Sequence, residues 1–291
     1  MDKANGIPIF YINLACRPDR RVRMEALFSH LGLAASRIEA ITPETLPSEM
    51  VAACARTPER RRLWPVELAC LASHRAALQA VVDTGARVGV VLEDDARISR
   101  DFKRVVRAVA ARDDFDVVRI ETFADRYRMR APATPLTDGY ALYGVAQFDG
   151  GTAGYMITAD AARRFLAAKI DATCPVDDGY FNMQRAKPRG WRALQLVPAI
   201  VIQYWHRAPE GHLPVDSDIV DARLQRGAKY GAKPYRKSSF APTEEVRRIA
   251  RKVTKATQRA LVGSPVFYRC VKVDVGFADD LADARDGADR N

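Results

Sequence analysis

The chain has 291 residues, 48% of them hydrophobic, and a formal net charge of +10 at pH 7. Length and apolar content of this order suffice for one large domain or two modest ones with a substantial core, so disorder is not the default expectation. No run approaches the roughly 18 consecutive apolar residues of a membrane span, and the start "MDKANGIPIFYINL" lacks a basic stretch leading into a cleavable apolar one, so a cytoplasmic protein is expected.

In chain order, "IPIFYINL" (7–14) reads as the first strand. "RPDRRVRMEALFSHLG" follows, with Val22, Leu27, Leu31 and Met24, Phe28 on a helical period, Pro18 near its start and Gly32 at its end, which predicts a loop and then a helix. Residues 42–65 carry Pro43, Pro47, Pro58 and Pro65 and are expected to be irregular, with a short helix after Thr42 and a place over the site. "VELACLASHRAALQAVVDTG" places Leu68, Leu71, Ala72, Leu78 and Val82 at helical spacing and stops at Gly85. The next run, "VGVVLEDDARIS", is β-branched and too short for helical turns, so it reads as a buried, parallel-type strand. A helix capped by Ser99, with Asp101 in its first turn, comes next. Residues 116–120, 141–145 and 152–157 are strand candidates, "ADAARRFLAAK" is a helix, and "CPVDDGYF" follows. Strands alternating with helices predict an α/β protein whose sheet is mixed, mostly parallel and flanked by helices.

Beyond position 222 the character changes. Residues 223–262 hold twelve Lys or Arg against two Glu, a local balance of +10 that accounts for the whole net charge. Within them "TEEVRRIARKVTKATQRALVG" sets Val246, Ile249, Ala250, Val253 and Leu261 on one stripe and starts with Glu244 and Glu245, the pattern of an amphipathic helix suited to its dipole. The division expected is a larger domain over 1–222 and a basic helical region over 223–291 that ends in an acidic tail. The basic block is suited to an anionic partner, and the stripe alternatively packs on the domain with its bases in solvent. Cys16, Cys54, Cys70, Cys174 and Cys270 are odd in number and lack CxxC spacing, so reduced thiols are expected rather than a disulfide framework or zinc site.

Glu93, Asp94 and Asp95 stand directly behind the apolar run 88–92. Carboxylates at the end of a buried strand are hard oxygen ligands suited to Mg²⁺ or Mn²⁺, although three acids in a row also occur on solvated faces. No phosphate-binding loop or dinucleotide fingerprint is present, and "GGTAG" (150–154) lacks the lysine of the former. By itself it marks a turn, a bulge or a close backbone approach. His74 shares a helix with Leu71 and Leu78 and reads first as a hydrogen-bonded structural residue, whereas His206 follows an apolar strand and is better placed for a metal. Asn13, Arg17 and Arg20 follow the first strand, where a nucleotide meets an open sheet, although Arg20 and Arg21 also fit a solvated face.

Six segments in order, "IPIFYINLACRPDRRVRM", "VELACLASHRAALQ", "VGVVLEDDARI", "GGTAGYMITADAARRFL", "CPVDDGYF" and "PAIVIQ" with a later "SDI", resemble the glycosyltransferases of family 25. These are enzymes of lipopolysaccharide and lipooligosaccharide biosynthesis, and the resemblance covers roughly residues 7–223. It implies a GT-A type fold, a nucleotide-sugar donor such as UDP-galactose or another UDP-hexose, inverting transfer to a glycan acceptor, and Mn²⁺ or Mg²⁺ at a DxD-like motif. Asp95 is then the main metal ligand, with Glu93 sharing the ion or facing the donor ribose, and His206 a further ligand. Asn13, Arg17, Arg20, Ser73, His74, Glu93, Asp94 and Gly151 fall on the donor side. The acceptor base is Asp177, which holds the family position, or its neighbour Asp178; Asp at this place also fits a cap of the helix after Pro175. Two departures stand out: Ala69-Cys70 replaces Gly-Cys before Ser73-His74, and "AITPE" replaces the acidic turn usual near position 42.

A lipid-linked acceptor would place the protein at the inner face of the membrane, docked on anionic lipid through residues 243–262. The rival readings are a noncatalytic sugar-nucleotide-binding homologue and a basic nucleic-acid-binding protein. The second is disfavoured because the basic stretch lacks interleaved aromatics, so no nucleic acid is expected.

Overall fold

β1 (Ile9–Asn13) is buried along its whole length, as a strand covered by helices on both faces must be. Its alternation builds two cores: Phe10 and Ile12 pack with Leu71, Leu78 and Val81, whereas Ile9 and Tyr11 pack with Met24, Phe28 and Val105. α3 (Pro65–Asp83) and α5 (Ala159–Ala167) cover the first face, and α1 (Pro18–His30) and α4 (Phe102–Ala110) cover the second. The computed structural model describes residues 6–59, 61–146, 150–181, 190–204 and 269–280.

β2 (Ser36–Glu39) and β3 (Val88–Glu93) flank β1 in parallel. β9 (Gly154–Thr158) then runs antiparallel between β3 and β5 (Val117–Arg119), and β10 (Ala193–Val197) lies parallel to β5. β8 (Tyr140–Val145), β7 (Arg126–Thr137) and β12 (Arg269–Asp274) complete a nine-stranded sheet as antiparallel neighbours. A smaller sheet joins β4 (Ala96–Ile98), β11 (Val201–Gln203) and β6 (Glu121–Thr122).

The α/β class and the flanking helices agree with the sequence, but the sheet is not mostly parallel. Among the described residues three of the eight pairings in the large sheet are parallel. One cause is local: Thr137 pairs with Tyr140 across Asp138-Gly139, with Gly139 at φ +76°, and a two-residue turn joins only antiparallel strands.

Two further differences are local. Val22, expected on the buried stripe of α1, is 66% exposed, and the stripe is Met24 and Phe28 flanked by Leu27 and Leu31. α4 has Asp101 rather than Ser99 at its N-cap, because Ser99 is buried one step earlier with its hydroxyl donating to Asp279 and accepting the N–H of Asp101. The short helix expected after Thr42 is present as a 3-10 helix at Pro43–Thr45, and the stretch also holds α2 (Ser48–Ala55).

The chain's end is also placed differently. Residues 269–280, expected within a helical extension, return to the large sheet as β12 and continue into a buried strap. Val275 and Phe277 are fully buried, Ala199 N–H donates to the Gly276 carbonyl, and Ala278 N–H donates to the Ala199 carbonyl. The basic helix expected at 243–262 and the tail beyond Asp280 lie outside the described residues. Among the described residues no helix is long and apolar enough to cross a membrane.

Candidate functional site

β1 ends at Asn13, β3 at Glu93 and β5 at Arg119, while antiparallel β9 begins at Gly154 opposite Leu92, so four strand termini meet at one end of the sheet. The carboxyl ends of parallel strands are where open α/β sheets take ligands. Every predicted acid of the triplet lies there, yet the three have different surroundings.

Asp94 is fully engaged. Asn13 Nδ2 donates to its Oδ2 at 2.8 Å and Arg20 to its Oδ1 at 3.0 Å, while Arg23 donates to its carbonyl at 2.6 Å. Glu93 Oε1 faces His74 Nε2 at 3.3 Å and accepts the Thr152 hydroxyl at 2.7 Å. Burial raises the Glu93 carboxyl, but the bond and charge of His74, with Thr152 and Arg20, outweigh it and leave the group below its ordinary value. Asp95 is the opposite case. Its Oδ1 is buried with no hydrogen-bond partner among the described residues. Desolvation, then the like charges of Glu93 and Asp94, push its carboxyl up to about 7 against Arg20 and Arg23.

Opposite this triplet lies the turn at 150–153. Gly150 and Gly151 have φ of +95° and +93°, a region that strains any other residue. Gly151 N–H donates to Asp177 Oδ2 at 3.3 Å, which joins the turn to α6 (Val176–Phe181). Asp177 Oδ1 accepts the N–H of Asp178 at 2.9 Å, so one oxygen serves the helix start and the other faces the turn.

Among the remaining predicted residues, Asn13, Arg20, His74, Glu93, Asp94, Asp95, Gly151 and Asp177 come together at this end of the sheet. Ser73 does not face it: its hydroxyl accepts Ile41 N–H at 2.8 Å and donates to the Ala69 carbonyl at 2.8 Å, tying the segment after β2 to α3. Arg17 pairs with Asp19 on the surface at 2.9 Å. His74 is buried, its Nδ1 3.0 Å from the Tyr155 hydroxyl, so it links α3 to β3 and β9. His206 lies outside the described residues.

Glu121 escaped the sequence reading. It is fully buried on β6, its Oε2 accepts Ala153 N–H at 2.9 Å, and its Oε1 has no hydrogen-bond partner among the described residues. Burial, with Glu93 and Asp95 as like charges, holds its carboxyl well above the ordinary value despite Arg119. A lone Glu in "VRIETF" carries no sequence signal; the fold alone brings it here.

Among the described residues no three His, Cys, Asp or Glu side chains converge to hold a metal alone. The orphaned Asp95 oxygen beside Glu93 fits an ion held by one or two carboxylates and completed by substrate phosphate and water, as Mg²⁺ commonly is. Asp94 does not fit that role, because both its oxygens are occupied.

The family described as "Glycosyltransferase family 25 (LPS biosynthesis protein)" matches residues 6–180, more than half of the chain and all the strand ends above. The chain belongs to glycosyltransferase family 25. Similar proteins include a glycosyltransferase 25 family member of Drosophila melanogaster, 27% identical over 58% of this chain and 29% of its own length. Procollagen galactosyltransferase 1 of Danio rerio is 26% identical over 73% of this chain and 39% of its own, and procollagen galactosyltransferase 2 of Mus musculus is 27% identical over 61% and 30%. The family 25 chain thus spans 29% to 39% of the length of these relatives.

Proposed function

We propose that this chain is an inverting glycosyltransferase of GT-A type that moves a hexose, galactose in the first instance, from a UDP-sugar to a hydroxyl of a glycan acceptor. The observation that carries the reading is Asp95, whose buried Oδ1 has no hydrogen-bond partner among the described residues, just past β3 and two positions from Glu93, which the 150–153 turn links to a further carboxylate, Asp177. The relatives' names support galactose; the family's description supports a lipopolysaccharide-type acceptor.

Asn13 and Arg20, by clamping Asp94, fix the main chain of the acidic turn so that Asp95 points to the donor. A divalent ion at Asp95 and Glu93 supplies Lewis-acid neutralisation of the diphosphate when bound. Asp177 takes the proton of the acceptor hydroxyl as its oxygen bonds to the anomeric carbon; the bond from that carbon to the diphosphate breaks and UDP leaves with the electron pair. The +10 block at 223–262 supports docking on an anionic membrane at the cytoplasmic face, beside a lipid-linked acceptor.

The test is UDP release from UDP-galactose and UDP-glucose with Mn²⁺, offering a lipooligosaccharide or a procollagen peptide. Release should require Mn²⁺ and fall at least about 100-fold in Asp177→Asn with donor KM unchanged. Full turnover in excess EDTA removes the metal from the reading. A normal rate in Asp177→Asn with loss in Asp178→Asn moves the base to Asp178. Donor binding without any UDP release establishes the noncatalytic homologue instead.

A further inference from the structure

Arg119, Glu121 and Gln195, at 4%, 0% and 0% exposure, are buried polar side chains without a part in that chemistry. They stand together where β5 passes into β6 beside β10. Gln195 Oε1 accepts Arg119 Nε at 2.5 Å, and its amide donates to the Glu121 carbonyl at 3.0 Å and the Leu196 carbonyl at 2.9 Å. A connected set of buried polar groups is costly unless its members are satisfied, so what they hold is informative.

They hold one turn. Arg119 donates to the Gly150 carbonyl at 2.5 Å, and Glu121 Oε2 accepts Ala153 N–H at 2.9 Å, so both ends of 150–153 are fastened from below. The other carboxyl oxygen of Glu121 lies directly beneath Gly151. A Cβ on Gly151 would come within 3.0 Å of Glu121 Cδ and 2.7 Å of Phe123 Cζ, so only a glycine hydrogen fits between the turn and the carboxyl. From its upper side the turn makes two contacts to the site: Gly151 N–H to Asp177 at 3.3 Å, and Thr152 hydroxyl to Glu93 at 2.7 Å.

We propose that Glu121, braced by Arg119 and Gln195, is a positioning residue that fixes the spacing of Asp177 and Glu93 through the 150–153 turn. The proposal rests on the transferase reading, in which those two carboxylates serve acceptor and donor. Glu121 works by shape and by one accepted hydrogen bond, not by charge. Its Oε2 meets the Ala153 N–H and its Oε1 fills the space beneath Gly151. Glutamine reproduces that group, its carbonyl accepting from Ala153 and its amide filling the place beneath Gly151. Aspartate is one methylene too short, and alanine leaves the turn unsupported.

The experiment compares Glu121→Gln, Glu121→Asp, Glu121→Ala and Gly151→Ala in the full chain. It reads kcat and donor KM with UDP-galactose and Mn²⁺, and hydrogen exchange of the 150–154 amides. Glu121→Gln should keep kcat within about threefold and exchange at the wild-type rate. Glu121→Asp, Glu121→Ala and Gly151→Ala should lose about 100-fold in kcat, the cost of a misplacement near 1 Å, with donor KM within threefold and faster exchange in the turn. A folded Glu121→Gln as inactive as Glu121→Ala overturns the proposal, since the carboxyl would then act on substrate or ion itself. Wild-type kcat and exchange in Glu121→Ala overturn it as well. Should Glu121→Ala not fold, an inactive Glu121→Gln or a fully active Gly151→Ala still does so. If the wild-type chain releases no UDP, the transferase reading fails, and exchange alone decides whether Glu121 holds the turn.

Discussion

Asp94 and Asp95 are adjacent, chemically identical and opposite in what replacing them should do. Asp94→Ala withdraws the carboxylate from Arg20 and Asn13 in a place where Asp94 is 7% exposed, and should cost about 3 kcal/mol by urea denaturation, the scale for breaking a buried ion pair. Asp95→Asn removes no such bond and gains stability at high pH. The direction follows from its carboxyl, raised to about 7 in the folded chain from about 3.9 unfolded. Between these values the folded state binds more protons, so Asp95 costs stability progressively as pH rises from about 4 to about 7 and by a constant amount above. Glu121 acts with the same sign and Glu93, which is lowered, with the opposite one. Thermal melts of the metal-free chain from pH 5 to 8 should therefore fall less steeply in Asp95→Asn than in wild type. Mn²⁺ at pH 8 should raise the wild-type melting temperature and not that of the variant. Three consecutive acids look alike in a sequence; Asp94 is set apart by partners 74 and 81 positions away, which no local pattern announces. Glu121 was invisible for the same reason, whereas Gly151 was legible as a glycine with a task though not with which task.

Helices and strands were read well wherever one periodicity ruled. β3, α3 and α5 fall where apolar runs or helical spacing put them, because each is buried on a simple pattern. α1 shows the limit: two helical stripes share the segment, and only packing selects Met24 and Phe28 over Val22. Phe28→Ala should cost about 3–5 kcal/mol in urea denaturation, against about 0.5 kcal/mol or less for Val22→Ala. β7 went unread because its buried face is only Tyr127 and Met129, alternating with Arg126, Arg128 and Arg130, and Pro132 and Pro135 follow, although Asp138-Gly139 was an available hairpin signal. Apart from the β5–β10 pair, the parallel arrangement expected of the sheet failed beyond β3 because that hairpin, and β9 running between β3 and β5, set strand direction by connection rather than by composition.

At the scale of the whole molecule, the strand that a composition boundary at 222 hid is β12, paired with β7 from Arg269 to Asp274 and followed by the buried Val275 and Phe277. Deleting residues 269–291 should expose β7 and abolish the cooperative thermal transition, so membrane docking by residues 243–262 has to be read from substitutions instead. Replacing Arg247, Arg248, Arg251, Lys252, Lys255 and Arg259 by Gln should leave the melt unchanged and abolish salt-sensitive co-sedimentation with anionic vesicles. Equal sedimentation of the substituted chain would assign its bases to a solvated face. Tyr204, whose N–H donates to the Asp95 carbonyl at 2.7 Å, and Arg269, in register with Ala131, hold the two sides of residues 205–268 to one domain. The residues on either side of that stretch are therefore both fastened to described strands. A single backbone cut between Tyr204 and Arg269 should leave two fragments joined through the β7–β12 ladder, and two halves expressed separately and divided there should reassemble, which co-purification of the two fragments would check.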